Sequence, residues 1–215
     1  MAYRLPRLVS GGIVVATFLA SALAYPSLPA TMATHWDLGG QVDGTMPKLY
    51  GAFVVPILLL GVGGLLYVIP RIDPRRENIE AFRGLYEWFI AGFLLFLAYV
   101  HGLVLVWNLG IHVPIGRALA PALAGLFIGI GYLLEYAEPN WFIGIRTPWT
   151  LSDDEVWRRT HERGSLAFKL AGVLALGGVV FPSLSLLFIL IPILGVAVYT
   201  VGYSFMLYRR RHESH

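Results

Sequence analysis

Six apolar stretches dominate this chain: Leu8–Tyr25, Leu49–Ile69, Leu85–Trp107, Val113–Leu134, Leu166–Phe181 and Leu184–Leu207. A helix needs roughly 20 apolar residues to cross a hydrocarbon core of about 30 Å. Only helices and closed barrels satisfy every backbone polar group in that core. The spacing therefore predicts an all-α polytopic membrane protein with six transmembrane helices. A soluble fold would have to cover these stretches with polar surface. The chain is only 13% charged, against about 25% for an ordinary globular domain. Its 57% hydrophobic content likewise excludes a disordered chain and a soluble enzyme. The fifth stretch is the shortest and carries Lys169, which can snorkel to the interface. Pro182 and Ser183 alone separate it from the sixth, which reads as a tight helical hairpin.

Charge placement sets the orientation. Of the 16 basic residues, only Lys48 and Arg117 fall on one side of the six spans. The rest cluster at the N-terminus, in the second and fourth loops, at Lys169 and at the C-terminus. By the positive-inside rule both termini and those two loops are cytoplasmic. A multi-pass protein of the plasma membrane is expected, with the lipid bilayer as its first partner. One alternative concerns the first span. Arg4 and Arg7, an apolar run and Ala22-Leu23-Ala24 also fit a cleavable signal peptide. An uncleaved first span is the reading adopted. The net charge of +3 is too small to suggest direct nucleic-acid binding. The absence of cysteine excludes disulfides, thiolate metal sites and cysteine nucleophiles.

The outer loop, residues 26–48, is long for a simple connection. Pro26, Pro29 and Pro47 forbid a continuous helix, and Gly39-Gly40 and Asp43-Gly44 are turn signals. Its polar residues are His35, Asp37, Gln41 and Asp43, with Trp36 at the expected membrane interface. His35, Trp36, Asp37 and Asp43 are candidates for ligand binding. His35, Asp37 and Asp43 are also candidates for a metal, through nitrogen and oxygen donors. The plainer reading is an ordered cap in which the carboxylates close turns.

Ionisable residues inside membrane spans are functional candidates by default. His101, in the third span, joins the ligand-binding candidates, within possible reach of His35, Asp37, His112 or Arg117. Its plainer role is a neutral histidine bonded to a carbonyl or to Asn108. Arg83 and Glu87 stand four residues apart and can pair on one helix face. Glu135 and Glu138 close the fourth span and can meet inner-loop arginines. Gly125 and Gly129 form a small-x-x-x-small pattern that suits close packing or a homodimer.

The densest polar stretch is the inner loop, residues 135–165. Ser152 followed by Glu155 reads as a capping box, so a short amphipathic helix should start at Asp153 and lead through Gly164 into the fifth span. Asp154 with Arg158, and Glu155 with Arg159, are i,i+4 pairs. Trp157 and His161 share a face. Arg146, in a Gly-Ile-Arg-Thr-Pro-Trp turn, could hold Glu135, Glu138 or a lipid phosphate.

Here the sequence resembles a known family. Pro139-Asn140, then Gly144-Ile145-Arg146-Thr147-Pro148-Trp149-Thr150-Leu151, Val156-Trp157 and Thr160-His161 are similar to the signature of the SdpI family. These are integral membrane proteins named for immunity to the sporulation-delaying-protein toxin. His35-Trp36-Asp37, Gly40, Asp43-Gly44, Lys48 and Pro56 resemble the small domain of unknown function that often precedes that region. Family members often carry Gly-Asn at the end of the fourth span, where this chain has Gly131-Tyr132. The resemblance implies a non-enzymatic immunity and signalling protein without cofactors. Its partners would be an extracellular peptide toxin and a cytoplasmic transcriptional repressor. Asn140, Arg146, Trp149, Trp157 and His161 become candidates for partner docking. Two halves are expected: residues 1–110 with the outer loop 26–48, and residues 111–215 with the inner loop 135–165. Two alternatives remain. A transporter or channel for a small solute or ion would need a polar path past His101, and a metal-dependent membrane enzyme would need three converging ligands.

Overall fold

The computed structural model describes residues 4–37 and 39–213. Residues 1–3, 38, 214 and 215, which belong to the expected N-terminal half, outer loop and C-terminal half, lie outside the described residues. The chain runs α1 (Arg4–Ala24), β1 (Thr31–Trp36), β2 (Val42–Pro47), α2 (Lys48–Ile72), α3 (Arg76–Asn108), α4 (Ile115–Tyr136), α5 (Pro148–Ser152), α6 (Asp154–Ala175), α7 (Gly177–Val180) and α8 (Ser185–His212). Among the described residues, six helical segments are long and apolar enough to cross a membrane: Arg4–Ser27, Lys48–Ile72, Arg76–Asn108, Ile115–Tyr136, Asp154–Val180 and Pro182–His212. The chain is an all-α, multi-pass membrane protein. A single turn over Pro182–Leu184 makes the expected tight hairpin between the last two spans.

α1, α2 and α3 pack together, and α4, α6 and α8 pack together, with α3 against α4 joining the two sets. Leu59, Ile79, Tyr86, Ile90 and Leu94 fill the core of the first set. Ala120, Ala124, Phe127, Ala171 and Ala175 fill that of the second. Small residues let α4 and α6 approach closely. A Cβ on Gly172 would meet the Ala124 carbonyl at 2.7 Å, and one on Gly131 would meet the Ser165 carbonyl at 2.8 Å. Gly125, by contrast, faces open space, so the Gly125/Gly129 pattern is not what brings these helices together.

Three elements depart from the sequence reading. The outer loop is an antiparallel β-hairpin, paired Thr31 to Pro47, Met32 to Met46 and Trp36 to Val42. The third helix begins at Arg76, well before the apolar run, and breaks its helical geometry at Phe82 (φ −119°, ψ 16°). The inner amphipathic helix is not a separate element lying on the membrane. α6 runs unbroken through Gly164, because Gly164 packs under Ile145 and keeps its helical backbone bonds. Its N-cap is Asp153, whose carboxylate accepts from the Glu155 and Val156 N–H groups, so Ser152 does not cap it. Ser152 instead ends α5, which Thr147 caps through a reciprocal bond pair with Thr150.

Candidate functional site

The outer hairpin presents one exposed polar pair. β1 and β2 place His35 opposite Gly44, and the His35 Nδ1 lies 2.5 Å from the Asp43 Oδ1. Both side chains are largely exposed. Gly44 has to be small, since a Cβ there would sit 2.8 Å from the His35 Cβ. Asp37 is not part of this pair. Its Oδ1 accepts from the Gly39 and Gln41 N–H groups, both at 2.8 Å, and closes the hairpin turn. The metal candidates His35, Asp37 and Asp43 thus divide between a surface pair and a turn. Among the described residues no three His, Asp or Glu side chains group to hold a metal.

The hairpin is anchored to the bundle rather than loose. Met32 is fully buried against Ala52, Val104 and Leu105. Asn108, at the end of α3, donates to the Ala33 carbonyl and accepts from the Ala33 N–H, both at 2.8 Å. Trp36 is half-buried and meets Trp107 edge-on at 5.3 Å, so it packs inward rather than standing as a free ligand contact. His101 does not join the hairpin. It is 1% exposed and bonds Ser21 of α1 at 2.7 Å through Nε2. Neither of its expected partners, a carbonyl or Asn108, holds it; Asn108 is committed to the hairpin and to the Val104 carbonyl.

On the basic side, the inner loop is a knot of backbone bonds closed by buried side chains. Asn140 is 1% exposed; its Oδ1 accepts from the Phe142 and Ile143 N–H groups and its Nδ2 donates to the Glu138 and Ile143 carbonyls. Trp157 donates through Nε1 to the Ala137 carbonyl at 2.8 Å. The His161 ring stacks on Trp157 with centroids 4.0 Å apart. Its Nδ1 donates to the Trp157 carbonyl and its Nε2 accepts from the Ile145 N–H at 3.0 Å. With one nitrogen donating and the other accepting, the ring is neutral. Gly144 sits at φ +123°, and a Cβ there would lie 2.3 Å from the His161 Nε2.

This changes the docking candidates. Asn140, Trp157 and His161 are buried and hydrogen-bonded, so they build the loop, and Trp157 and His161 stand only at the floor of the groove between the end of α4 and α6. Trp149 is half-buried against Phe205 of α8. Arg146 alone of the five is exposed, and its Nη1 reaches only the Phe142 carbonyl, at 3.5 Å. Neither Glu135 nor Glu138 holds it: Glu135 pairs with Lys169, whose Nζ also lies 4.2 Å over the Tyr132 ring. Tyr132 thus serves as the face of a cation–π contact.

Sequence reasoning missed the second loop as the clamp on this knot. Asp73 is 3% exposed and accepts from the Arg75 and Trp141 N–H groups. Asn78 donates to the Pro139 carbonyl at 2.7 Å. Arg75 pairs with Asp154 at 3.0 Å, so Asp154 does not pair with Arg158. Glu155 holds both Arg158 and Arg159. Asp153 is also held by Arg211 of α8 at 3.0 Å. Burial works against its charge, but the Val156 N–H and Arg211 outweigh that and hold its carboxyl below the usual range. Glu87 is 1% exposed and is bound by Arg7 of α1 as well as by the anticipated Arg83. An Asp before a helix and polar residues inside an apolar run were the available signals.

Comparison with known proteins matches both regions. Residues 137–204 match the SdpI/YfhL protein family and residues 12–60 match DUF1648, a domain of unknown function. The chain is 27% identical over 161 residues to the immunity protein SdpI of Bacillus subtilis (strain 168), covering 74% of each chain. Both matches bear out the resemblance to the SdpI family. The uncharacterized membrane protein YbgB of the same organism is 39% identical over 49 residues, 23% of this chain and 54% of that protein. No solved structure matches. The DUF1648 match holds the hairpin, and the SdpI match holds the inner knot and α6.

Proposed function

We propose that this chain is an SdpI-like immunity and signalling protein of the plasma membrane that senses or neutralises an extracellular peptide toxin through its outer hairpin. The carrying observation is the His35–Asp43 pair, displayed on a hairpin that Met32 and Asn108 lock to the bundle. A displayed polar pair on a rigid support suits recognition. The immunity reading comes from the relative, whose name is that of an immunity protein.

We place the regulator-facing side, for a cytoplasmic transcriptional repressor, on an open groove of about 760 Å³ between the end of α4, the inner loop and α6. Glu135, Glu138, Glu155 and Glu162 line it with Arg158 and Lys169, which suits a basic segment. Residues 1–110 would then form the sensing half and residues 111–215 the docking half, with a homodimer as a further assembly. A transporter would need a polar path past His101, and that residue is closed against Ser21.

The test is protection of a sensitive bacterium from the sporulation-delaying-protein toxin. His35→Ala with Asp43→Ala is expected to abolish protection at unchanged membrane abundance. Protection that survives the double substitution overturns the outer-hairpin reading.

A further inference from the structure

A groove of about 490 Å³ opens between α1 and α2 toward the basic end of the bundle. Its walls are apolar along Val14, Val15 and Leu60, and it ends at Arg7 and Arg71. Two glycines hold it open: a Cβ on Gly11 or on Gly64 would meet nothing within 4 Å. At the polar end, the Ser10 hydroxyl and the Tyr67 hydroxyl are bonded at 2.9 Å, and Arg7 lies over the Tyr67 ring.

The charges at this end do not cancel. Arg7 binds Glu87 through Nε and Nη2, and Arg83 binds Glu80 and Glu87, so two cations face two anions. Arg71 is then surplus. It is exposed and has no carboxylate or hydrogen-bond partner among the described residues. Nη1 of Arg7 is left over as well, on a side chain 43% exposed. The site therefore joins a mouth carrying an arginine without a direct carboxylate partner to an apolar slot that runs along α1 and α2, with Asp73 and Glu77 lining the pocket on the other side of Arg71.

We propose that this groove binds one anionic glycerophospholipid of the cytoplasmic leaflet, its phosphate at Arg71 and Arg7 and one acyl chain along the Gly11/Gly64 floor. A soluble phosphate lacks the chain to fill the slot, and a zwitterionic lipid brings no net charge to balance Arg71. A basic residue near an anionic membrane surface contributes about 1 kcal/mol, a factor of about five in affinity.

The test is native mass spectrometry of the full chain released from mixed phosphatidylglycerol and phosphatidylcholine micelles. One retained phosphatidylglycerol is expected on the wild type. Arg71→Gln should weaken its retention about five-fold. Gly64→Leu, which fills the slot without touching protein at its Cβ, should remove it. Arg117→Gln, on the opposite membrane face, should change nothing. Retention unchanged in Gly64→Leu, or equal retention of phosphatidylcholine, overturns the proposal. So does a loss equal in Arg117→Gln and Arg71→Gln, which would mean diffuse charge attraction. Unchanged thermal midpoints in lipid-free detergent confirm that the variants are folded.

Discussion

Substituting Gly144 by Ala probes the inner knot most sharply. Gly144 sits at φ +123°, a conformation that costs an L-residue roughly 1–3 kcal/mol. The added Cβ would lie 2.3 Å from the His161 Nε2, against ring atoms rather than a flexible chain end. His161 is stacked on Trp157 and 2% exposed, so it has nowhere to move. Displacing it leaves the Ile145 N–H without its acceptor, which costs roughly 1–3 kcal/mol more. The total is about 2–6 kcal/mol, and each kcal/mol lowers the midpoint of a chain of this length by about 2–4 °C. Thermal unfolding of purified protein in detergent reads this directly. Gly202→Ala in α8, where a Cβ meets nothing, is the control and should be neutral or slightly stabilising. Part of the cost should vanish in a His161→Ala background, which removes the clash but keeps the φ strain. A Gly144→Ala midpoint within about 1 °C of wild type, or an undiminished cost in that background, would refute the reasoning.

Three further outcomes follow from the same contacts. Asn108→Ala removes both bonds to Ala33 and should raise hydrogen exchange across β1 and β2, at a cost of about 1–3 kcal/mol; exchange confined to position 33 would contradict the anchoring role. Glu87→Ala removes the carboxylate shared by the partly exposed Arg7 and Arg83, of which Arg83 keeps Glu80, and should cost about 1.5–3 kcal/mol in chemical denaturation. A change below about 1 kcal/mol would show that the bridge does not hold α1 to α3. The Asp153 carboxyl is held below its usual value of 3.8, so its contribution is fully present above that value and is lost as pH falls through its lowered folded value. Thermal midpoints of wild type and Asp153→Asn should therefore differ at pH 7 and converge in acid below pH 4; a gap that stays constant on acidification would exclude the Asp153–Arg211 contact as its source.

The apolar runs and the one-sided basic residues made the six spans legible, since length and charge bias are local properties of the chain. The hairpin was not. Pro26, Pro29 and Pro47 signal only that a helix is absent, and the strand identity of residues 31–36 comes from Met32 entering the bundle and Asn108 gripping Ala33. The inner motif was recognisable as a pattern, but its residues were legible as a site rather than as a scaffold. Asn140, Trp157 and His161 are polar enough to suggest a surface. Their hydrogen bonds run to carbonyls and N–H groups of their own loop, which no spacing rule encodes. Asp73 and Asn78 escaped notice because each acts across 61–68 residues of sequence.

The exposed hairpin pair, and not the buried inner motif, is proposed to meet the extracellular ligand. Survival of cells bearing the His35→Ala, Asp43→Ala double variant under toxin challenge tests it most directly, with surface abundance matched to wild type. Sensitivity equal to that of cells lacking the protein is the expected result. Wild-type survival of the double variant would contradict it.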